Sequence, residues 1–261
     1  MIIDDILVRH RDVISRYFRG EIIDYAIGIK YAYCIVQEEN RKAMGVAYSP
    51  YLDIRISGIA DIPRIPRIFE KFPESGVTNR TIFLACINAI SQYLMWHRNM
   101  GRGRIIYTNL IDLITSRIEQ SDNVVVIGNM VPLVRRIREK MVRIHVFERD
   151  PLLRTGNAMP DYFEYRYLEH ADIVIITGAA LLNDTIDLIL RYTPKSATKI
   201  IVGPTAQLLP EILLEWFDIV ASLRIDNMEE TVSIIKRGGG RWDFSKYCTD
   251  YIAVRPQYLT T

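Results

Sequence analysis

The hydrophobic pattern of the first fifty residues is helical at first and then alternates. Residues 2–18 carry apolar side chains at nearly helical spacing and Gly20 follows them, which predicts an amino-terminal helix. Residues 21–37 alternate loosely and are rich in Ile, Tyr and Val, and residues 42–48 can pair back onto them through the polar turn at 38–41. The pattern therefore predicts a helix followed by a β-hairpin.

Prolines and glycines divide the next fifty residues. Three prolines make 49–75 a predicted loop that contains one short helix at 67–71. An apolar stretch predicts a long helix over 79–98, which ends at Gly101 and Gly103. This glycine pair and the arginines around it are the best candidate for a linker between two domains.

The hydrophobic pattern changes in the second half of the chain, where short apolar runs do not alternate with polar residues. Such runs are typical of strands buried on both faces, as in a parallel sheet covered by helices. The runs lie at 124–127, 144–147, 173–176, 199–202 and 219–223, and helical segments lie between them at 131–141, 181–192 and 206–216. This alternation predicts an α/β fold with a doubly wound, Rossmann-like parallel sheet at 106–261. A smaller α+β domain is predicted at 1–105.

Charge and composition narrow the expected partners. The chain has 261 residues, with 33 Lys and Arg against 31 Asp and Glu, and a net charge of +2. Balanced charge argues against nucleic acid as a partner, and no apolar run is long enough to predict a membrane span. The first residues lack the features of a signal peptide, so we expect a cytoplasmic protein. In that compartment Cys34, Cys86 and Cys248 are expected to be buried thiols rather than bridges.

Residues at the carboxyl ends of the predicted strands are candidates for ligand binding, since doubly wound sheets bind ligands there. Gly128 and Asn129 form a strand-to-helix turn that either exposes backbone N–H groups to an anion or only allows close packing. The turn does not match the Gly-x-Gly-x-x-Gly fingerprint of dinucleotide sites. Glu148 lies 20 residues further on (148 − 128), where an acid can accept hydrogen bonds from ribose hydroxyls. The alternative for Glu148 is a helix cap or an ion pair beside Arg149.

Further candidates follow the third and fourth strands or interrupt the long helix. Asn183 and Thr185 either cap a helix or face the crevice. Asn88 either ties the long helix to a neighbouring backbone or points into an interdomain cleft. The complete set of predicted ligand-binding residues is Asn88, Gly128, Asn129, Glu148, Arg149, Thr177, Gly178, Asn183, Thr185, Gly203, Pro204 and Thr205.

The sequence lacks the common catalytic and metal-binding motifs. The four histidines are scattered, and there is no Cys-x-x-Cys pair, no Gly-x-Ser-x-Gly elbow and no phosphate-binding P-loop. No metal ligand and no catalytic base is therefore assigned. A carboxylate from the first half, such as Glu38 or Glu39, lying near Glu148 with a shifted pKa would favour an enzyme.

Taken together, several segments resemble the putative heavy-metal chelation family. Three of them are 124–149, 171–185 and 202–210, and the fourth, Ala85 to Ala89, is similar to that family's Ala-x-x-Asn-Ala helix. The resemblance implies a small domain like the one that precedes the enolase barrel, then a Rossmann-like domain, with a cleft between them. The sequence departs from the family at Ala179 and Ala180, where hydroxyl side chains are usual, and at Gln207, where proline is common.

The resemblance also implies a function. A small polar or nucleotide-like ligand would bind in the interdomain cleft, with condensation or hydrolysis in the synthesis of pterin-, flavin- or siderophore-like chelators. Two alternatives stay open, a non-enzymatic carrier or sensor of metal-chelate complexes and an S-adenosylmethionine-dependent methyltransferase-like enzyme. The cofactor is accordingly open between a metal chelate, a pterin- or flavin-like molecule and an adenosyl ligand. The expected partner is a small molecule, with a homodimer as an open alternative.

Overall fold

The amino-terminal part of the computed structural model, which describes residues 1–54 and 58–258, contains a helix and a three-stranded sheet. Helix α1 (Ile2–Tyr17) buries one face, as its spacing predicts. Strands β1 (Glu21–Ile27), β2 (Tyr31–Glu38) and β3 (Arg41–Tyr48) form an antiparallel meander in the order β1-β2-β3. The single strand predicted at 21–37 is therefore wrong, because the chain turns at 28–30, where Gly28 N–H donates to the Tyr31 carbonyl.

Three helices follow this sheet. They are α2 (Tyr51–Ile54), α3 (Arg67–Lys71) and α4 (Val77–His97). Helices α3 and α4 confirm the predicted short and long helices, α2 was not predicted, and residues 55–57 of the predicted loop lie outside the described residues. Every side chain from Thr81 to Met95 is buried, because α4 packs on the small sheet and also touches the second half of the chain.

The second half of the chain forms an eight-stranded sheet in the order β4-β11-β10-β9-β8-β5-β6-β7. Its strands are β4 (Ile105–Ile106), β5 (Asn123–Ile127), β6 (Arg143–Glu148), β7 (Met159–Pro160), β8 (Ile173–Thr177), β9 (Thr198–Val202), β10 (Ile219–Ile225) and β11 (Cys248–Val254). Strands β5 to β10 are parallel, and β11 pairs antiparallel with β10 and β4. Numbered along the chain, the parallel strands follow the Rossmann order 3-2-1-4-5-6. The predicted fold class is confirmed, and the antiparallel edge was not predicted.

Helices pack on both faces of this sheet. They are α5 (Leu110–Ser116), α6 (Val131–Arg138), α7 (Tyr165–Leu168), α8 (Thr185–Tyr192), α9 (Pro210–Leu213) and α10 (Met228–Lys236). Within β5, Val125 and Ile127 belong to one core and Val124 and Val126 to the other, so the strand shows no polar alternation. The helices predicted at 181–192 and 206–216 are shorter, because 3-10 turns occupy the strand ends before α8 and α9. Among the described residues no helix is long and apolar enough to cross a bilayer.

Buried amide side chains join the small sheet to the large one. Gln207 Oε1 accepts a hydrogen bond from Val46 N–H at 2.7 Å, and Gln207 Nε2 donates to the Leu223 carbonyl at 2.9 Å. Asn88 Nδ2 donates to the carbonyls of Val46 and Thr205, at 2.8 and 2.9 Å. These bonds hold β3 against the segment that follows β9, and they fix where the two sheets meet.

Candidate ligand-binding cleft

A cavity of about 380 Å³ lies where the two sheets meet. The ends of β5, β6, β8 and β9 form one wall, and Tyr31, Tyr48 and residues 50–53 form the other. Strand order reverses between β5 and β8, which is where doubly wound folds bind ligands. The volume lies within the usual range of small-molecule sites. Both position and size therefore suit a small ligand.

Two glycines shape the strand ends at this cavity. Gly128 and Gly203 have positive φ angles of 94° and 116°, which favour glycine. A Cβ atom at Gly128 would lie 2.9 Å from carbon atoms of the Thr177 side chain, whereas one at Gly203 would meet nothing within 4 Å. Gly128 thus allows close packing of two strand ends, and Gly203 serves the turn itself.

The backbone N–H groups of the first turn already have partners. Gly128 N–H donates to a carbonyl of β6 at 2.7 Å, and the N–H groups of Met130 and Val131 donate to carbonyls within the turn. The Asn129 N–H donates to Glu148 Oε2 at 2.9 Å. A phosphate bound at this turn would find none of these four donors free, unlike the turn of a dinucleotide site.

Several side chains that line the cavity also bind one another. The Glu148 carboxylate accepts hydrogen bonds from the N–H groups of Asn129 and Asp150, each at 2.9 Å. Arg149 donates to the amide oxygen of Asn183 at 2.8 Å, and the Asn183 amide nitrogen donates to the Thr185 hydroxyl at 2.7 Å. This framework connects the loops after β6 and β8, and it fixes the shape of the lining.

The structure brings the predicted ligand-binding residues together at the cavity, apart from Asn88. The lining includes Gly128, Asn129, Glu148, Arg149, Thr177, Gly178, Asn183, Thr185, Gly203, Pro204 and Thr205. Asn88 is buried outside the lining and ties α4 to two backbone carbonyls, which was one of its two interpretations. Glu38 accepts hydrogen bonds from Arg19 N–H and from Arg98, and neither Glu38 nor Glu39 lines the cavity. The carboxyl that the amino-terminal part does contribute is Asp53 of α2.

The charges around the cavity are mostly negative. Among the described residues, its lining contains one guanidinium, Arg149, and five carboxyl groups, those of Asp53, Glu148, Asp150, Asp161 and Glu164. Burial and the charges of Asp150, Glu148 and Asp53 raise the pKa of Tyr48 to about 12, so its phenol stays protonated. A cavity lined by one sign of charge attracts ligands of the opposite sign. Cationic and donor-rich ligands therefore suit it better than polyphosphates.

Glu164 is the lining residue with the most perturbed environment, and sequence reasoning missed it. Its side chain is 2% exposed, and its Oε2 has no hydrogen-bond partner among the described residues. Burial, and after it the charge of Asp161, raise the pKa of Glu164 to about 8, against the opposing effect of Arg149. The available signal was a pair of acids three residues apart directly after Pro160, where the chain enters a helix.

Soft metal ligands do not converge in the part of the chain that the structure describes. No group of three or more His, Cys, Asp or Glu side chains there is arranged as metal ligands would be. Cys34 and Cys86 are buried free thiols, and burial followed by the hydrogen bond with Cys86 raises the pKa of Cys34. Cys248 is free and half-buried, and burial raises its pKa to about 12. Neither Cys34 nor Cys248 is therefore ready to ionise near neutral pH.

Comparisons with known proteins agree on one family. The model of the family described as putative heavy-metal chelation matches residues 109–254. An uncharacterized protein of Methanocaldococcus jannaschii is 32% identical over 244 residues, covering 90% of this chain and 91% of that protein. A crystal structure from Pyrococcus horikoshii, titled as a protein of unknown function from the DUF364 family, has a TM-score of 0.82 and 27% identity and covers 98% of this chain and 100% of its own. A second DUF364 structure of unknown function, from Desulfitobacterium hafniense DCB-2, has a TM-score of 0.73 at 14% identity and covers 95% and 99% of the two chains; it shows the fold alone.

Proposed function

Since this chain belongs to the putative heavy-metal chelation family, we propose that its cleft binds a small polar organic molecule of the kind from which metal chelators are made. Pterin-, flavin- and siderophore-like compounds are the classes in question. The observation that carries the proposal is the cavity between the sheets, which both parts of the chain line and which lies at the reversal of strand order. Any metal would then arrive with the organic molecule or be bound by it later.

The lining favours an unphosphorylated ligand. In the described part of the lining, five carboxyl groups stand against one guanidinium, and the N–H groups of the Gly128 turn are occupied. Heterocycles with N–H and amino donors can donate to carboxyl oxygens, whereas the negative charges of the lining would repel a polyphosphate. The same charge favours a second candidate, an adenosyl sulfonium compound, because that ligand is a cation.

An enzyme fits the site better than a passive carrier. A buried carboxyl with a raised pKa beside a ligand cavity is typical of groups that transfer protons in catalysis. Glu164 has these properties. We therefore place the protein among enzymes that condense or hydrolyse such molecules, and a carrier of finished metal chelates is the alternative outcome of the experiment below.

A ligand screen with a blocked cleft tests the proposal. Thermal shift and calorimetry compare how strongly the protein binds pterins, flavins, S-adenosylmethionine, a siderophore, adenosine, ATP and bare divalent metals. Ala179 is half-buried in the lining, so Ala179→Phe should fill part of the cavity and weaken binding of the best organic compound at least about tenfold. Leu152→Phe is the matched control, because Leu152 is exposed and outside the lining.

The proposal also predicts the order in which two compounds of the screen bind. Adenosine should bind more tightly than ATP, because the lining repels phosphates. Equal binding by the Ala179→Phe variant, or stabilisation by bare metal alone, would overturn the cleft as the ligand site. Binding of an intact metal chelate without any reaction would identify the carrier instead.

A further inference from the structure

We propose that Glu164 is the acid of the cleft, a neutral carboxyl in the empty protein that presents its proton to an acceptor nitrogen or carbonyl oxygen of the bound molecule. This inference rests on the proposed function, because it needs the cavity to be the ligand site. It adds that the ligand carries a hydrogen-bond acceptor, a nitrogen or a carbonyl oxygen, at the end that binds beside Glu164. It also names the residue that would protonate the ligand during condensation or hydrolysis.

The position of Glu164 supports this role. Glu164 follows the 3-10 turn Asp161–Phe163 and directly precedes α7, and its side chain is 98% buried while still lining the cavity. In the part of the chain that the structure describes, its Oε2 has no hydrogen-bond partner. An ionised carboxylate without partners is costly to bury, whereas a neutral carboxylic acid needs only one acceptor for its proton. No side-chain hydrogen bond of Glu164 is present among the described residues, so the protein leaves the acid without an acceptor, and a molecule in the cavity that Glu164 lines can supply one.

The groups around Glu164 suit both the neutral acid before a proton transfer and the carboxylate after it. Asp161 and Tyr165 lie on its own segment, Arg149 acts from the end of β6, and Tyr192 of α8 packs on Tyr165 with ring centroids 5.1 Å apart. Burial, followed by the charge of Asp161, favours the neutral acid. Burial also raises the pKa of Tyr165, so this phenol carries no charge near neutral pH. Arg149 favours the carboxylate that remains after the proton has left.

The proton transfer itself is balanced. The O–H bond of Glu164 breaks, and its electron pair stays on the carboxylate. A new N–H or O–H bond forms on the bound molecule, which becomes positively charged by one. That charge then lies in a cavity lined by the carboxyl groups of Asp53, Glu148, Asp150 and Asp161. Opposite charges therefore stabilise both products of the transfer, with Arg149 beside the new carboxylate.

The first test needs no ligand. Infrared titration of the full chain follows the C=O stretch of protonated carboxylic acids as the pH rises from about 5 to about 10. We expect a band that persists above about pH 6, where ordinary carboxyls are ionised, and that is missing in Glu164→Gln. Asp161→Asn should shift the loss of the band to lower pH, and Arg149→Met should shift it to higher pH. Absence of such a band in the wild-type protein overturns the proposal. That result does not depend on how any variant folds.

The second test asks whether the acid can be reached from the cleft. A water-soluble carbodiimide reacts with protonated carboxyls: it takes up the proton and bonds to the carboxyl oxygen, and an added amine then forms an amide and releases a urea. Near neutral pH, peptide mass mapping should find Glu164 modified in the wild-type protein and protected in Ala179→Phe, whose cleft is filled. A protonated but unmodified Glu164 would show that the acid does not face the cleft, and would overturn the proposal. Failure of every compound in the ligand screen would instead overturn the proposed function and leave the infrared band unchanged.

Discussion

At the scale of single residues, two carboxyl groups of the cleft have opposite surroundings. Glu148 accepts two backbone hydrogen bonds, which commit its carboxylate to holding the loops in place. Glu164 is buried, and within residues 1–54 and 58–258 its Oε2 lacks a partner, so its charged form is disfavoured. The same chemical group is therefore structural in one position and available for proton transfer in the other.

This difference predicts how pH affects stability. Glu164 has a pKa of about 8 in the folded protein against an ordinary value of 4.5. Below pH 4.5 the carboxyl is protonated in both the folded and the unfolded protein. Between about pH 4.5 and 8 the unfolded chain has lost this proton and the folded protein still holds it, so the free energy of unfolding falls as the pH rises. Above both pKa values it falls no further. Glu164→Gln lacks this penalty. We expect the stability of the variant relative to the wild type to rise by about 5 kcal/mol over this window.

Urea unfolding at a series of pH values measures the effect. The matched control is Glu169→Gln, since Glu169 is exposed and lies on the same short segment. Its stability difference from the wild type should stay within about 0.5 kcal/mol at every pH. A Glu164→Gln difference that does not grow with pH would contradict the assigned environment of Glu164.

The sequence predicted which residues meet at the cleft better than it predicted what they do. Strand ends of a parallel sheet share one edge, so Gly128, Glu148, Thr177 and Gly203 could be grouped from strand positions alone. Hydrogen-bond partners depend on the loops, and Glu148 accepts from backbone N–H groups that no sequence pattern indicates. Glu164 could not be found by its residue type, because its burial depends on how its segment packs on β6 and α8, which the local sequence does not show.

At the scale of secondary-structure elements, the sequence predicted a helix or strand correctly where the composition of that element is uniform along its length. The apolar stretch within α4 was placed within two residues of the start of the helix, and strands β5, β6, β8, β9 and β10 were all found. The break between β1 and β2 was missed, because Gly28 and Ile29 continue an apolar run although the chain reverses there. Strand β11 was missed because Thr249 and Asp250 interrupt its apolar pattern.

Gly45 provides a test of how closely α4 packs on β3. A Cβ atom at this position would lie 2.1 Å from Ala89 N and 2.5 Å from Ala85 O, which are backbone atoms that cannot rotate away. We expect Gly45→Ala to force helix and strand apart and to cost at least about 2 kcal/mol in urea unfolding. In Gly103→Ala, the control, the new Cβ meets nothing within 4 Å, so a change of no more than about 0.5 kcal/mol is expected. Equal effects of the two substitutions would show that the close approach is unimportant for stability.

At the scale of the whole molecule, the small sheet and the large sheet share one interior. A single core contains Ile6 of α1, Val36 of β2, Ile90 of α4 and Val174 of β8. His10 of α1 adds a polar connection, because its Nε2 accepts from Leu209 N–H at 3.1 Å. The proposed division at 1–105 and 106–261 therefore describes two architectures with a common core. The cleft lies at their junction, so ligand binding should stabilise both sheets together.

Gln207 tests this coupling directly, because its amide bonds to the small sheet at Val46 and to the large sheet at Leu223. Gln207→Leu would leave a buried N–H and a buried carbonyl without these partners, at a cost of about 3 kcal/mol. Hydrogen exchange should show the amides of β2 and of β8 losing protection by the same free energy, because the two sheets unfold as one unit. The control Gln37→Leu removes only a hydrogen bond to the Glu39 carbonyl on an exposed turn, and should change stability by no more than about 0.5 kcal/mol. Loss of protection in β2 alone would mean that the small sheet opens independently, and the cleft would then open with it.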